Sequence, residues 1–369
     1  MKFITGTKPL IDSLSLGVIN SNVTKYFQKS TIAQVSANKS TLTINLEAAF
    51  IYTEIQLKGQ GDEDANVSIF VDSLLLKQLV STFEAATTTL EFGENGLTLY
   101  AGKSKFTLPK ILSDVEASLQ APKHVTDESN AIPISKADWK FVKENQMYAL
   151  GMSFSLPVYT KVWVSESGDV IVGDFDNSIF THSMKGNLDK TCLLSDTIIN
   201  LFNSLPEGAK LIAYDDSYII HVVVDSYEYT SQFTPQYESD PDVGSYKADI
   251  IMSPMSRDLD AAVEFDATEL NKFMTQSSLI SSNSEDSIML EVSNGELRLY
   301  DDNGDIKLAV KNGEGIEYRI ELKKESIKSV LSKYGEHTML RPTVDSDGEV
   351  GGVTIWNDDL VTALGGVEN

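Results

Sequence analysis

The strongest constraint on this chain is a unit that recurs six times: a short apolar helix, followed some way on by two strands joined at a small or acidic turn. The turns read Asn38-Lys39, Asn95-Gly96, Ser167-Gly168, Asp215-Asp216, Asn294-Gly295 and Asp347-Gly348. Alternating apolar residues flank them, as in Leu90-Glu91-Phe92 and Leu97-Thr98-Leu99. Alternation is what a strand with one buried face requires, because successive side chains point to opposite sides. Measured between Lys39, Asn95, Gly168, Asp216, Gly295 and Gly348, short gaps alternate with long ones, so the six units group into three pairs. The expectation is an α+β protein of three tandem domains, each made of two similar helix-plus-antiparallel-sheet halves. A length of 369 residues agrees, since it exceeds what one core usually supports.

The helices are legible from their apolar spacing. The first runs from Pro9 to about Ile19, with proline in the first turn, where its missing N–H has no cost. In the second, Val71, Leu74, Leu75, Leu79, Val80 and Phe83 fall on one face. A third opens at Ser135 and Asp138, a fourth at Ser195-Asp196, a fifth at Asp266 and Glu269, and a sixth at Lys323-Lys324-Glu325. Between them lie strands rich in Val, Ile and Tyr, such as Tyr218 to Val224. Two stretches lack periodicity: 113–130, which mixes Asp, Glu, Pro and Ser, and 234–256, with Pro235, Pro241 and Pro254. They separate expected domains at 1–122, 131–245 and 250–369.

Composition excludes several functions. No apolar run approaches the length needed to span a bilayer, and the start, Met1-Lys2-Phe3, has no secretory leader pattern, so a cytoplasmic protein is expected. Cys192 is the one cysteine and reads as a small core residue. His124, His182, His221 and His337 are too scattered for a zinc site. Gly61-Asp62-Glu63-Asp64 reads as a solvated hairpin tip. No phosphate-binding glycine loop, Gly-x-Ser-x-Gly elbow or His-Glu-x-x-His occurs, and neither enzyme chemistry nor a cofactor or metal is expected.

The formal net charge of −24 argues against nucleic acid until the basic residues are located. Lys136, Lys140 and Lys143 share one stripe of the third helix, opposite Trp139, Val142 and Met147. The sixth helix carries Lys323, Lys324, Lys328 and Lys333, the second Lys77 and the fifth Lys272; the fourth carries Thr197, Asn200 and Asn203 instead. Acids on these helices lie mainly in the first turn, where they suit the dipole. Helices in one layer and sheets in another would therefore give a mildly basic helical side and an acidic sheet side. Scattered Lys, Ser, Thr and Asn, without arginine forks or aromatic platforms, would touch phosphates and read no sequence.

This organisation resembles the bacterial beta sliding clamp, and so do short segments in all three domains. Met1-Lys2-Phe3 is similar to that family's start, and Asn45-Leu46-Glu47 to its Asp-Leu-Glu. Gly102-Lys103-Ser104-Lys105-Phe106-Thr107-Leu108 resembles its basic Gly-x-Ser-x-Phe-Ser-Leu edge strand. Leu279-Ile280-Ser281-Ser282-Asn283 and Leu290 to Leu297 resemble its Ile-Leu-Ser-Asn and Leu-x-Val-Ser-Glu-Asn-x-Leu segments. The resemblance implies a homodimeric six-domain ring around double-stranded DNA, binding without sequence preference, that tethers a DNA polymerase and is opened by a clamp loader. It places the interface at Phe106 and Leu108 on one chain and Leu279 and Ile280 on the other. DNA contacts fall at Lys25 and Gln146, after the first and third helices, and on the lysines Lys77, Lys136, Lys140, Lys143, Lys272, Lys324 and Lys328.

Two family segments differ. Thr-Asp-Gly-His-Arg-Leu is replaced by Asp174-Phe175-Asp176-Asn177-Ser178-Ile179, and the Met-Pro-Met ending by Leu360 to Val367. Ile179, Val361 and Leu364 are the expected lining of the partner-peptide pocket, which accepts a motif other than the family's usual one. Such divergence fits a clamp with its own polymerase, as in a large bacteriophage acting in its host's cytoplasm. The competing reading is a β-rich structural or adhesion protein, such as a virion component, with no DNA role.

Overall fold

The computed structural model describes residues 1–18, 32–48, 51–62, 66–111, 119, 121–125, 127–151, 161–174, 178–237, 255–280, 287–344 and 347–367. Six α-helices of at least two turns occur among them: α1 (Thr7–Gly17), α2 (Ser73–Val80), α3 (Lys136–Asn145), α4 (Asp196–Ser204), α5 (Ala267–Ile280) and α6 (Lys324–Leu331). Each lies where the apolar spacing predicts one. Helix α2 is opened by Asp72, whose side chain accepts from the Leu75 N–H at 2.8 Å, satisfying one of the donors a helix start leaves free. None of these helices is long and apolar enough to cross a membrane.

Contacts divide the chain into two compact units: Met1–Ala137 with Asp196–Pro235, and Asp138–Ser195 with Gln236–Asn369. Strand pairing joins distant parts of the sequence within each unit. Tyr227–Phe233 is antiparallel to Ile51–Gly61 in the first unit, with Tyr227 opposite Leu57 and Phe233 opposite Ile51. In the second, Ile179–Ser183 pairs with Val361–Gly365, Ile179 opposite Leu364.

The first unit holds a 12-stranded sheet that ends at Ser104–Pro109 on one side and at Ile132–Pro133 on the other. Leu10 and Leu14 of α1 and Leu76 and Val80 of α2 are fully buried. Complete burial of each such side chain is worth about 1.5–3 kcal/mol for the larger ones. The second unit holds a 9-stranded sheet, from Gln236–Tyr237 to Val263–Phe265, and a 4-stranded sheet in the order Gly304–Ala309, Glu296–Asp301, Ser287–Ser293, Tyr318–Lys323. The turn at Asn294 (φ 51°) and Gly295 (φ 78°) has both residues left-handed, the form that matches the twist of a two-residue hairpin.

Candidate nucleic-acid and partner interfaces

Helix α3 keeps the surface its sequence implies. Trp139 and Val142 are buried, while Lys140 and Lys143 are exposed and Lys136 half-buried. Lys140 lies 3.8 Å from Glu144, with both side chains mostly in solvent; such pairs contribute about 0.5 kcal/mol or less. Lys272 of α5 is exposed too. Of the helix lysines expected at DNA, these remain available to an anion.

Other helix-borne lysines have partners within the fold. The Lys77 ammonium donates to the Val18 carbonyl at 2.6 Å, at the C-terminal end of α1, and burial lowers its pKa. Lys328 donates to Ser278 Oγ at 2.9 Å, in the last turn of α5. Lys333 donates to the Glu144 carbonyl at 2.7 Å, at the end of α3. Two of the three share a cause: the last carbonyls of a helix lack N–H partners and sit at the negative end of its dipole, and the ammonium of Lys77 or Lys333 serves both needs, whereas Lys328 meets a hydroxyl.

Lys324 is drawn deeper still. Its Nζ lies 2.6 Å from Asp301 Oδ2, with the side chains 6% and 7% exposed. Burial alone would raise the Asp301 carboxyl, but bonds from Lys324, the Asn303 N–H and Ser277 outweigh it and hold the pKa below the usual value. Gln146 has no exposed surface: its amide donates to the Val170 carbonyl and Thr181 Oγ1 and accepts from Ser183 Oγ at 2.7 Å. A buried amide satisfied on both ends ties α3 to the sheet and reaches no phosphate. Lys25 lies outside the described residues.

Several strands end their sheets, and two of them hold equivalent places in the two units. Ser104–Pro109 pairs only with Gly96–Ala101 among the described strands, and Gly304–Ala309 only with Glu296–Asp301. The Lys110 N–H donates back to the Asn95 carbonyl and that of Val310 to the Gly295 carbonyl. By antiparallel alternation, Lys105 and Thr107 on one edge, and Asp305, Lys307 and Ala309 on the other, turn their backbone groups outward. Such a row of unpaired groups is a template for another strand.

Phe106 is 44% exposed and stacks on Phe83, ring centroids 6.0 Å apart. Leu75, Leu79 and Phe83 follow one another at helical spacing along α2 and its end, and Leu75 is 45% exposed, an apolar stripe assigned to the core on sequence grounds. Leu108 is 3% exposed opposite Leu97, so its side chain fills its own unit's core. Leu279 is 85% exposed on the last turn of α5; Ile280 ends that helix, and its side chain lies outside the described residues. Ile306 and Leu308 on the adjoining edge strand are half-buried.

The expected pocket residues do not share an open cleft. Ile179, Val361 and Leu364 are all under 7% exposed. Val361 and Leu364 are three apart on one strand, which puts them on opposite faces. Val361 packs with Ile171, Trp356, Ala363 and Met255, edged by the partly buried Trp163, Phe180 and Met339. Residues 175–177 lie outside the described set. Among the described residues, no cluster of three or more His, Cys, Asp or Glu side chains could hold a metal ion.

No family model matches the sequence, and no curated protein does either. Solved structures match it over essentially its whole length. DNA polymerase III beta subunit from Thermotoga maritima aligns with TM-score 0.74 and 13% identity, covering 100% of this chain and 99% of that one. The DNA polymerase sliding clamp from Bacillus subtilis aligns at 0.72 and 15%, covering 100% and 99%. The DNA polymerase III subunit beta from Pseudomonas aeruginosa gives 0.72 and 14%, covering 100% of both. With six helices among the described residues and antiparallel sheets throughout, the chain has the fold of the bacterial beta sliding clamps.

Proposed function

We propose that this protein is a sliding clamp: a homodimeric ring that encircles duplex DNA without sequence preference and tethers a DNA polymerase, with a clamp loader to open it. It is not an enzyme on this reading. The observation that carries it is the pair of open edges on a clamp fold. One edge bears the exposed Lys103 and Lys105 and the apolar Phe106; the other bears the exposed Asp302 and Asp305, the latter paired with Arg298 at 3.1 Å, together with the exposed Lys307. Lys103 and Lys105 against Asp302 and Asp305 favour a head-to-tail junction, and two such junctions close a ring.

Duplex contact falls to Lys136, Lys140 and Lys143 of α3 and to Lys272. The polymerase peptide is proposed to dock at the rim of Trp163, Phe180 and Met339 around Val361, where apolar surface stays partly open. The strand Val361–Gly365 is itself core, so point changes at the rim, and not removal of the strand, are the way to probe it. The divergence of the pocket segments fits a large bacteriophage whose clamp works in the host cytoplasm with its own polymerase.

The test joins molar mass by light scattering with retention on circular DNA. A mass twice that of the chain, and protein loaded on nicked circles that is lost when they are linearised, is the expected result. Reversal of Lys136, Lys140 and Lys143 to Glu should leave the dimer intact and weaken DNA association, with a shallower salt dependence for any sequence. A monomer at micromolar concentration that is equally retained on linear and circular DNA would overturn the clamp and favour a structural protein.

A further inference from the structure

The two open edges are reached by different turns. In the first unit, Gly102 (φ 59°) opens the two-residue loop between Ala101 and Ser104, the arrangement that follows the natural twist of paired strands. In the second unit, the loop between Asp301 and Gly304 is Asp302-Asn303, and neither residue has a positive φ. Unprimed turns of this kind tend to splay the strands they join, so something else must hold Gly304–Ala309 in register.

Asp301 supplies that hold. Its Oδ1 accepts the Asn303 N–H at 2.8 Å, fixing the loop. Its Oδ2 accepts from Ser277 Oγ of α5 at 2.9 Å and from Lys324 Nζ of α6 at 2.6 Å. Phe273 of α5 stands beside the same turn, 3.7 Å from where a Cβ on Gly304 would lie. One buried carboxylate thus joins the turn, two helices and the start of the open strand. The corresponding place in the first unit is the apolar Ala101.

We propose that Asp301, with Lys324 and Ser277, is the positioning element of the Gly304–Ala309 edge, and that it determines whether this edge is presented in the geometry a second copy of the chain can pair with. The inference rests on the ring reading above. It assigns a role to Lys324 other than DNA contact, and it makes one edge of the ring depend on an internal ion pair while the other does not.

The test uses the full chain and two readouts: amide hydrogen exchange of the hairpins 296–309 and 96–109, and self-association by dilution. Asp301→Asn and Lys324→Met should each speed exchange in 296–309 tenfold or more, leave 96–109 unchanged, and weaken self-association at least tenfold. Ser277→Ala, which keeps the ion pair, should do the same to a smaller extent and preserves the test where a charge variant does not fold. Unchanged exchange in 296–309 overturns the proposal. So does faster exchange with unaltered self-association, because the edge would then be free to pair without its hold. A parent protein that never self-associates defeats the ring reading, and shows this before any variant is made.

Discussion

Strands Thr87–Gly93, Gly96–Ala101 and Ser104–Pro109 of the first unit have counterparts of identical length in the second: Ser287–Ser293, Glu296–Asp301 and Gly304–Ala309. The registers match residue for residue, with Leu90 opposite Leu99 and Leu290 opposite Leu299, Tyr100 opposite Lys105 and Tyr300 opposite Asp305. Each meander follows a helix, α2 or α5, and each ends in an open edge. Leucine fills the matching buried positions 90 and 290, 97 and 297, and 99 and 299, while the outward ones differ: Lys105 against Asp305 and Thr107 against Lys307; the inward Ala101 stands against Asp301. A shared backbone with unlike outer chemistry favours pairing of one edge with the other over pairing of Ser104–Pro109 with itself, since two copies of that strand would bring lysines together.

The comparison can be broken first at the core. Leu99 and Leu299 are both fully buried, so Leu99→Ala and Leu299→Ala should each destabilise their own unit by about 2–5 kcal/mol. Urea unfolding followed by unit-resolved hydrogen exchange would measure both, and losses differing by more than about 1 kcal/mol would show that equal register hides unequal packing. The next effect is at the edges. Lys105→Glu or Asp305→Lys alone should weaken self-association about tenfold, more so at low salt, while the double reversal recovers most of the loss. A double variant no better than either single one would remove charge from the account of edge choice.

The smallest effect is acid sensitivity. Asp301 has a pKa below its unfolded value, near 3.9. A depressed carboxyl adds stability that is complete above the unfolded pKa and is lost as pH falls through the folded one. Lowering the pH below about 4 should therefore loosen 296–309 more than 96–109, because Ala101 has no proton to take up and Glu91, the carboxyl that Tyr100 bonds beside 96–109, is 35% exposed where Asp301 is buried. Exchange rates that rise in parallel at both hairpins would contradict this.

The architecture was legible because hairpins and amphipathic helices are local. Asn294-Gly295 selects its turn from two residues, and Trp139 with Val142 marks the inner face of α3 without reference to any neighbour. The sites were less so, since their outcome depends on what lies across space. Nothing in the spacing of Lys77, Lys328 or Lys333 reveals that a carbonyl or hydroxyl at the end of another helix stands within reach of each ammonium. Gln146 was placed by position relative to a family's DNA contacts, and the partners that bury it, Thr181 and Ser183, lie on a strand far along the chain. The opposite facing of Val361 and Leu364 was present in the sequence as an odd separation. Leu75 shows the reverse difficulty, because an apolar stripe reads as core whether its own fold or a second chain covers it.

The lysines that cap α1, α3 and α5 bear on motion as well as binding. On the proposed function, every ammonium bonded to its own fold is one foothold fewer for a passing phosphate. A duplex held by fewer ammonium groups would meet shallower wells, and the drag on its translation would be correspondingly lower.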